Sequence, residues 1–254
     1  MRWKTVEYKI ISGRTVEVRR CRMRIGKTAT KRGLRVRGNT SRKKIEANER
    51  DAVKRLAREI NANFEGGDLW VTLTYDRERL PETMEAAKEQ RKKFLKKLRT
   101  AYKRETGEEL RYIIATSQRD SRTGETVRLH HHMLIPAAAE EIVRETWPCR
   151  DDVTIRHLDG RGDYTGVARY IVSNTTTGTE GGEKRWSSSR NLKKPIYTEP
   201  VEVREDERVR VPRDCSLKEM AEIINEETGV RSLYVRYTRA RRPDGHYVTL
   251  RRRC

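Results

Sequence analysis

The segment RLHHHMLI, residues 128–135, puts three of the chain's five histidines side by side in an apolar, strand-like run. Successive side chains of a strand alternate faces, so His130 and His132 project together and His131 points the other way. Two imidazoles on one face suit a divalent cation, with a third ligand drawn from a neighbouring strand. The plainer alternative is a solvated or stacked histidine cluster.

Working outward, RDSRTGET (119–126) is a turn, and ELRYIIATS (109–117) before it is the hairpin partner of the histidine strand. LWVTLTYD (69–76) is a third strand, rich in β-branched and aromatic residues and bounded by Gly66, Gly67 and Asp76. Between the strands lies LPETMEAAKEQRKKFLKKLRTAYKRETG (80–107). It reads as a helix, with Pro81 in the first turn, Met84, Ala87, Phe94, Leu95, Leu98 and Tyr102 as its stripe, and Gly107 as its stop. TSRKKIEANERDAVKRLAREINANF (40–64) is an earlier basic helix. Its N-cap is Thr40 or Ser41, and its stripe is Ile45, Ala52, Val53, Leu56, Ala57 and Ile60.

After the histidines, AAAEEIVRETW reads as a helix, DVTIRHL (152–158) as a strand and DYTGVARYIVSN (163–174) as a short helix. TTTGTEGGEK is a polar loop. The order strand, helix, strand, strand, helix, strand, helix predicts an α+β fold, a mainly antiparallel central sheet flanked by helices. Three regions are expected: a basic arm and helix over 1–64, the central domain over 65–200, and an extension over 201–254. The extension carries a short helix, SLKEMAEIINEETG, and two alternating runs, SLYVRYTRA and HYVTLRRR.

Of 254 residues, 34% are apolar and 38% charged, and 58 Lys and Arg against 38 acids leave a net charge of +20. The periodic segments argue against disorder, and the charge excess points to a polyanion, nucleic acid first. A basic binder without chemistry is the bland alternative. Cys21, Cys149, Cys215 and Cys254 form no CxxC pair, so neither a zinc ribbon nor a disulfide framework is indicated. MRWKTVEYKI lacks the apolar core of a signal peptide, and no apolar run is long enough to span a membrane. A cytoplasmic protein is the expectation.

Five pieces in order, NANFEGGDLWVTLTYD, RYIIATS, HHHMLI, ARYIVSN and KRWSSSRNLKKP, span residues 61–195. In them the chain resembles the rolling-circle replication-associated proteins of the HUH endonuclease superfamily. The resemblance is closest to the phage and plasmid Rep proteins that share a domain with filamentous-phage gene II protein. It implies a sandwich fold of that type, with His130 and His132 holding Mg²⁺ or Mn²⁺. It also implies a tyrosine of the later helix that attacks a DNA phosphate and stays linked to the 5′ end. A metal offsets charge developing on the phosphate, and a tyrosine ester stores the bond for religation.

Tyr164 and Tyr170 both lie in the candidate helix. At about 100° per residue, Tyr164 falls on the apolar face of Val167, Ala168, Ile171 and Val172, and Tyr170 falls off it. Tyr170 also matches the family's tyrosine in ARYIVSN; taken alone, it reads as a surface or DNA-stacking residue. Two positions depart from the family pattern. Ser173 stands where a lysine is usual, and ATSQRD offers Ser117 and Gln118 where a glutamate ligand is common. A glutamine oxygen binds Mg²⁺ or Mn²⁺ more weakly than a carboxylate, which makes Gln118 the candidate third ligand. In KRWSSSRNLKKP, the expected DNA contacts are Trp186 by stacking and Ser189, Arg190, Asn191, Lys193 and Lys194 at phosphates; the alternative is a charged loop packed under Trp186.

The reading that results is a metal-dependent nickase that acts on single-stranded origin DNA to start rolling-circle replication. The alternatives are a non-catalytic DNA-binding relative and a mobilisation relaxase, whose tyrosine usually precedes the histidines. With no GxxxxGK[ST] motif, unwinding falls to a host helicase.

Overall fold

The structure is a computed structural model that describes residues 3–24, 42–120, 123, 125–175, 184–203, 234–239 and 246–251. The chain divides into two compact units, residues 1–46 with 194–254, and residues 47–193.

In the first unit, β1 (Trp3–Ser12) and β2 (Thr15–Arg24) form an antiparallel hairpin from Trp3↔Arg24 to Ser12↔Thr15. The hairpin turns at Gly13, whose φ of 57° favours glycine. Two short strands from far along the chain, β8 (Ile196–Tyr197) and β9 (Val201–Glu202), pair antiparallel with β1. The two alternating C-terminal runs pair as a hairpin, β10 (Tyr234–Arg239) with β11 (His246–Arg251).

The second unit has the expected α+β architecture. Its five-stranded sheet has the order β6-β3-β5-β4-β7, and every neighbouring pair is antiparallel. The strands are β3 (Leu69–Thr74), β4 (Ile113–Arg119), β5 (Thr126–Ile135), β6 (Val153–His157) and β7 (Ser187–Ser188). In β3, alternation sends Leu69, Val71 and Leu73 to one face, all fully buried. They meet Phe94, Leu95 and Leu98 of α2 (Met84–Thr106) and Ile142 and Val143 of α3 (Glu140–Thr146). The other face, with Ile113, Ala115 and Leu134, packs against Ala52, Leu56, Ala57 and Ile60 of α1 (Arg42–Asn63) and Ala168, Ile171 and Val172 of α4 (Thr165–Asn174).

Local details differ from expectation in three places. Helix α2 starts at Met84, after Pro81, because Thr83 caps it by accepting from Ala86 N at 3.1 Å. Strand β4 starts at Ile113, where pairing with Leu134 begins. Ile45 is 47% exposed, so the apolar stripe of α1 begins lower down. The expected caps Thr40 and Ser41, residues 176–183 of the polar loop and the helix SLKEMAEIINEETG lie outside the described residues. As expected, Gly107 ends α2 in the left-handed region at φ 75°.

A buried polar chain links α2 to the sheet on the α2–α3 side. Arg91 donates to Thr116 Oγ1 at 2.8 Å, Thr116 Oγ1 lies 3.0 Å from His131 Nδ1, and His131 Nε2 lies 2.7 Å from the Tyr75 hydroxyl. Burial first, and then the Arg91 charge, push the His131 pKa down to about 3. Burial pushes the Tyr75 phenol up. The imidazole is therefore neutral at ordinary pH, the form that both donates and accepts.

On the other side, the loop before β3 touches the loop before α4. Gly67 N donates to Leu158 O at 3.0 Å and Leu158 N to Asp68 O at 2.7 Å. The approach is so close that a Cβ on Gly66 would lie 2.7 Å from Gly160 Cα.

Two outcomes are expected. Gly66→Ala forces two backbones apart and lowers stability by about 1–3 kcal/mol, measured by urea unfolding; no loss would mean that the loops separate freely. In the unfolded chain His131 titrates near 6.5, and in the native state only near 3. Its contribution is complete above the unfolded value and is lost as pH falls toward the native one. In EDTA, His131→Gln is expected to flatten the fall of unfolding free energy between about pH 6 and 5 by about 1.4 kcal/mol per pH unit. An unchanged slope would mean that His131 is not held neutral.

Candidate active site

Register decides which side chains meet on the α1–α4 face. Strand β5 lies between β3 and β4, with Thr72↔His132↔Ala115 in one row and Thr74↔His130↔Ser117 in the next. His130 and His132 share this face, and their Nε2 atoms lie 3.0 Å apart. His131 is on the opposite face, fully buried.

Hydrogen bonds fix the tautomer of His130. Its Nδ1 lies 2.8 Å from Arg128 O, which only accepts, so Nδ1 carries the proton and Nε2 presents a lone pair. His132 Nδ1 lies 3.2 Å from Thr72 Oγ1, which can donate or accept. With Thr72 donating, His132 Nε2–H bonds to His130 Nε2. With Thr72 accepting, two lone pairs face each other, an arrangement that calls for a cation between them. Burial, then the neighbouring His130, push the His132 pKa down to about 3. Burial lowers that of His130, against the raising effect of Arg128 O. Both rings are thus neutral, as ligation requires.

The pair fits a hard divalent ion in geometry as well: adjacent ligands at about 2.1 Å from an octahedral cation lie about 3.0 Å from each other. Among the described residues, no group of three or more His, Cys, Asp or Glu is arranged to hold a metal ion. A third protein donor must therefore be of another type. Gln118 is half-buried in the irregularity of β4 between the paired positions Ser117 and Arg119. Ser117 itself is fully buried, and its hydroxyl donates to Asn174 O at 2.5 Å.

Tyr170 reaches this face from α4. Its ring meets His132 edge-on at 5.0 Å and Trp70 at 6.0 Å, while Trp70 lies parallel to His132 at 5.1 Å. Tyr170 is 46% exposed. Tyr164 is buried, and its hydroxyl donates to Asp159 O at 2.9 Å. Helical periodicity thus separated the packing tyrosine from the accessible one. Ser173 turns its hydroxyl back to Arg169 O at 2.9 Å, so that position brings no cation.

A cleft of ≈ 450 Å³ opens beside these rings, lined by Trp70, Thr72, His132 and Tyr170 together with Thr154, Arg156, Gly166 and Val167. Trp70, Thr72 and Arg156 are site residues that sequence reasoning missed. The signal for the first two was alternation in LWVTLT, which puts Trp70 and Thr72 on one face. Their meeting with His132 depends on a register that neither strand reveals alone.

The segment 184–194 is anchored mainly by the residues expected at DNA. Trp186 packs against the α1–α4 core and its Nε1 donates to Glu59 Oε2 at 3.2 Å. Ser189 N donates to Tyr112 O at 2.9 Å, and Tyr112 N to Ser189 Oγ at 3.1 Å. Asn191 donates to Glu109 O at 2.9 Å, and Asn63 clasps the Lys193 backbone at 2.7 and 2.9 Å. The side chains of Arg190, Lys193 and Lys194 remain exposed. This segment is not part of the cleft around Tyr170.

Among the described residues, no helix is long and apolar enough to cross a membrane. No match is found among curated proteins or among solved structures. Residues 68–176, which run from β3 through α4 and so contain His130, His132 and Tyr170, match the family of replication-associated proteins that comprises ORF2 and the gene II protein.

Proposed function

We propose that the protein initiates rolling-circle DNA replication by nicking single-stranded origin DNA, with Tyr170 as nucleophile. The observation that carries this reading is the half-exposed Tyr170 ring resting 5.0 Å from His132, whose Nε2 converges with that of His130. The family match over 68–176 supports the replication role. Mg²⁺ or Mn²⁺ would be held by His130 and His132, with Gln118 as third protein donor. Such an ion supplies charge neutralisation at the phosphate.

The chain's own groups do the rest. The Tyr170 oxygen attacks phosphorus, the bond to the 3′ oxygen breaks, and a 5′-phosphotyrosine link forms. The phenol proton leaves as the oxygen attacks, and the departing 3′ oxygen takes up a proton. Trp70 and His132 hold the Tyr170 ring by edge contacts, which limits its rotamers before substrate arrives. Arg190, Lys193 and Lys194 would contact phosphates further along the strand, and a host helicase would open the duplex.

A second reading, DNA binding without cleavage, is favoured by the serine at position 173 and by the lack of a carboxylate beside the histidine pair among the described residues.

Incubation with DNA of the element that encodes the protein separates the two. Wild type is expected to form an adduct that survives denaturation, EDTA to prevent it, and Mn²⁺ or Mg²⁺ to restore it. Tyr170→Phe should form none, and Tyr164→Phe should form it normally. His130→Ala and His132→Ala should each lose at least about tenfold, since loss of even an outer partner costs a metal site 10–100-fold; His131→Ala should keep most activity. An adduct that persists in Tyr170→Phe, or equal activity in all three histidine variants, sinks the nickase mechanism. A separate outcome concerns affinity. Neutralising Arg190, Lys193 and Lys194 together is expected to reduce the salt slope of single-strand binding by about 0.7 for each phosphate that these side chains engage, and an unchanged slope places this segment off the DNA.

A further inference from the structure

The cleft beside Tyr170 has a composition that the nicking chemistry alone does not explain. Among its lining residues, Arg156 is the one with a permanent charge, and none is acidic. Arg156 stands on β6, the edge strand, in register with Trp70 and two residues from Thr154. It is exposed and has no hydrogen-bond or ion-pair partner among the described residues. An unpaired guanidinium on the same face as a nucleophile and two imidazoles is a ready anion holder. Hydroxyls from Thr72 and Thr154 and the aromatic surface of Trp70 complete the set.

We infer that this cleft is a subsite for one nucleotide of single-stranded DNA next to the phosphate that Tyr170 attacks, with Arg156 holding that nucleotide's flanking phosphate. The inference rests on the reading of Tyr170 as nucleophile. Three features favour a nucleotide of a strand over a free small anion. The volume of ≈ 450 Å³ is of the size that takes a small organic ligand, larger than an inorganic ion needs. Trp70 offers a stacking surface that any base can use. The cleft reaches the edge strand of the sheet, so a chain can enter and leave without threading. Gly166 keeps it open from the helix side, since a Cβ there meets nothing within 4 Å.

The probe is a single-stranded oligonucleotide with 5-iodouracil in place of thymine, bound in EDTA so that no cleavage is required. Wild type is expected to photocrosslink at Trp70, read by peptide mass mapping. Arg156→Ala should lower affinity roughly tenfold and reduce the salt slope by about 0.7, the value for one single-strand phosphate. Arg156→Lys should recover the slope, because the charge returns. Gly166→Leu should fold, since leucine is the better helix former and the space is open, and it should abolish the Trp70 crosslink by filling the cleft. Circular dichroism melting checks the fold of each variant. An unchanged slope in Arg156→Ala, crosslinks confined to other segments, or a Trp70 crosslink that persists in Gly166→Leu would each overturn the subsite. Failure of the nickase reading shows separately, as wild type that forms no adduct, and leaves the binding and crosslinking results to decide the subsite on their own.

Discussion

Strand β5 is the third of five strands and is covered by helices on both faces, so each of its side chains is committed to one of two environments. The period of two sends His131 into the α2–α3 layer and His130 and His132 toward α1 and α4. A slip of one residue would exchange them, placing one imidazole where two are needed. The register is held from behind by the Arg91–Thr116–His131–Tyr75 chain. A third histidine in the middle of the motif thus serves the same geometry from the far side. It is fully buried, and each of its ring nitrogens has a partner.

Burial has opposite consequences for ligands and for ion pairs. It holds His130 and His132 neutral by disfavouring their charged forms. Neutral rings cannot bind phosphate by charge, so the histidine pair alone gives DNA no attraction. Positive charge must come from elsewhere on the same face, and Arg156 lies across β3 from the pair. The net charge of +20 acts at longer range, in steering, and does not select a site.

Much of this was legible in the sequence, for reasons that can be named. Alternation in RLHHHMLI separated the histidines by face, and helical periodicity in DYTGVARYIVSN separated Tyr164 from Tyr170. Both depend on the local period alone. What was not legible depends on pairing between distant segments. The row Thr154–Thr72–His132 joins three strands, and the pairing of β1 with β8 joins residues such as Ile11 and Ile196. Trp186 and Ser189 looked like DNA contacts because serine and tryptophan suit phosphates and bases. Their bonds to Glu59 and Tyr112 arise from a fold that brings residues 184–194 back to α1 and β4. Pro81 failed as a helix start because Thr83 offered a side-chain cap that proline lacks.

Ser117 shows how a change of residue type alters what a position can do. In register with His130, it stands on the site face, where a carboxylate would reach a cation. Its hydroxyl instead donates to Asn174 O, at the last residue of α4. The other end of α4 is tied by Tyr164, whose backbone N–H donates to Asn61 Oδ1 at 2.9 Å and whose hydroxyl reaches Asp159 O. The helix that carries Tyr170 is therefore strapped to the sheet at one end and to α1 at the other. Productive attack demands placement within about 0.5 Å, which favours a nucleophile on a rigid element. Serine at 117 gives up a charged ligand and gains a fixed helix. A neutral donor such as Gln118 then has to complete the cation's shell, and a weaker metal site beside a firmly held tyrosine follows from that single exchange.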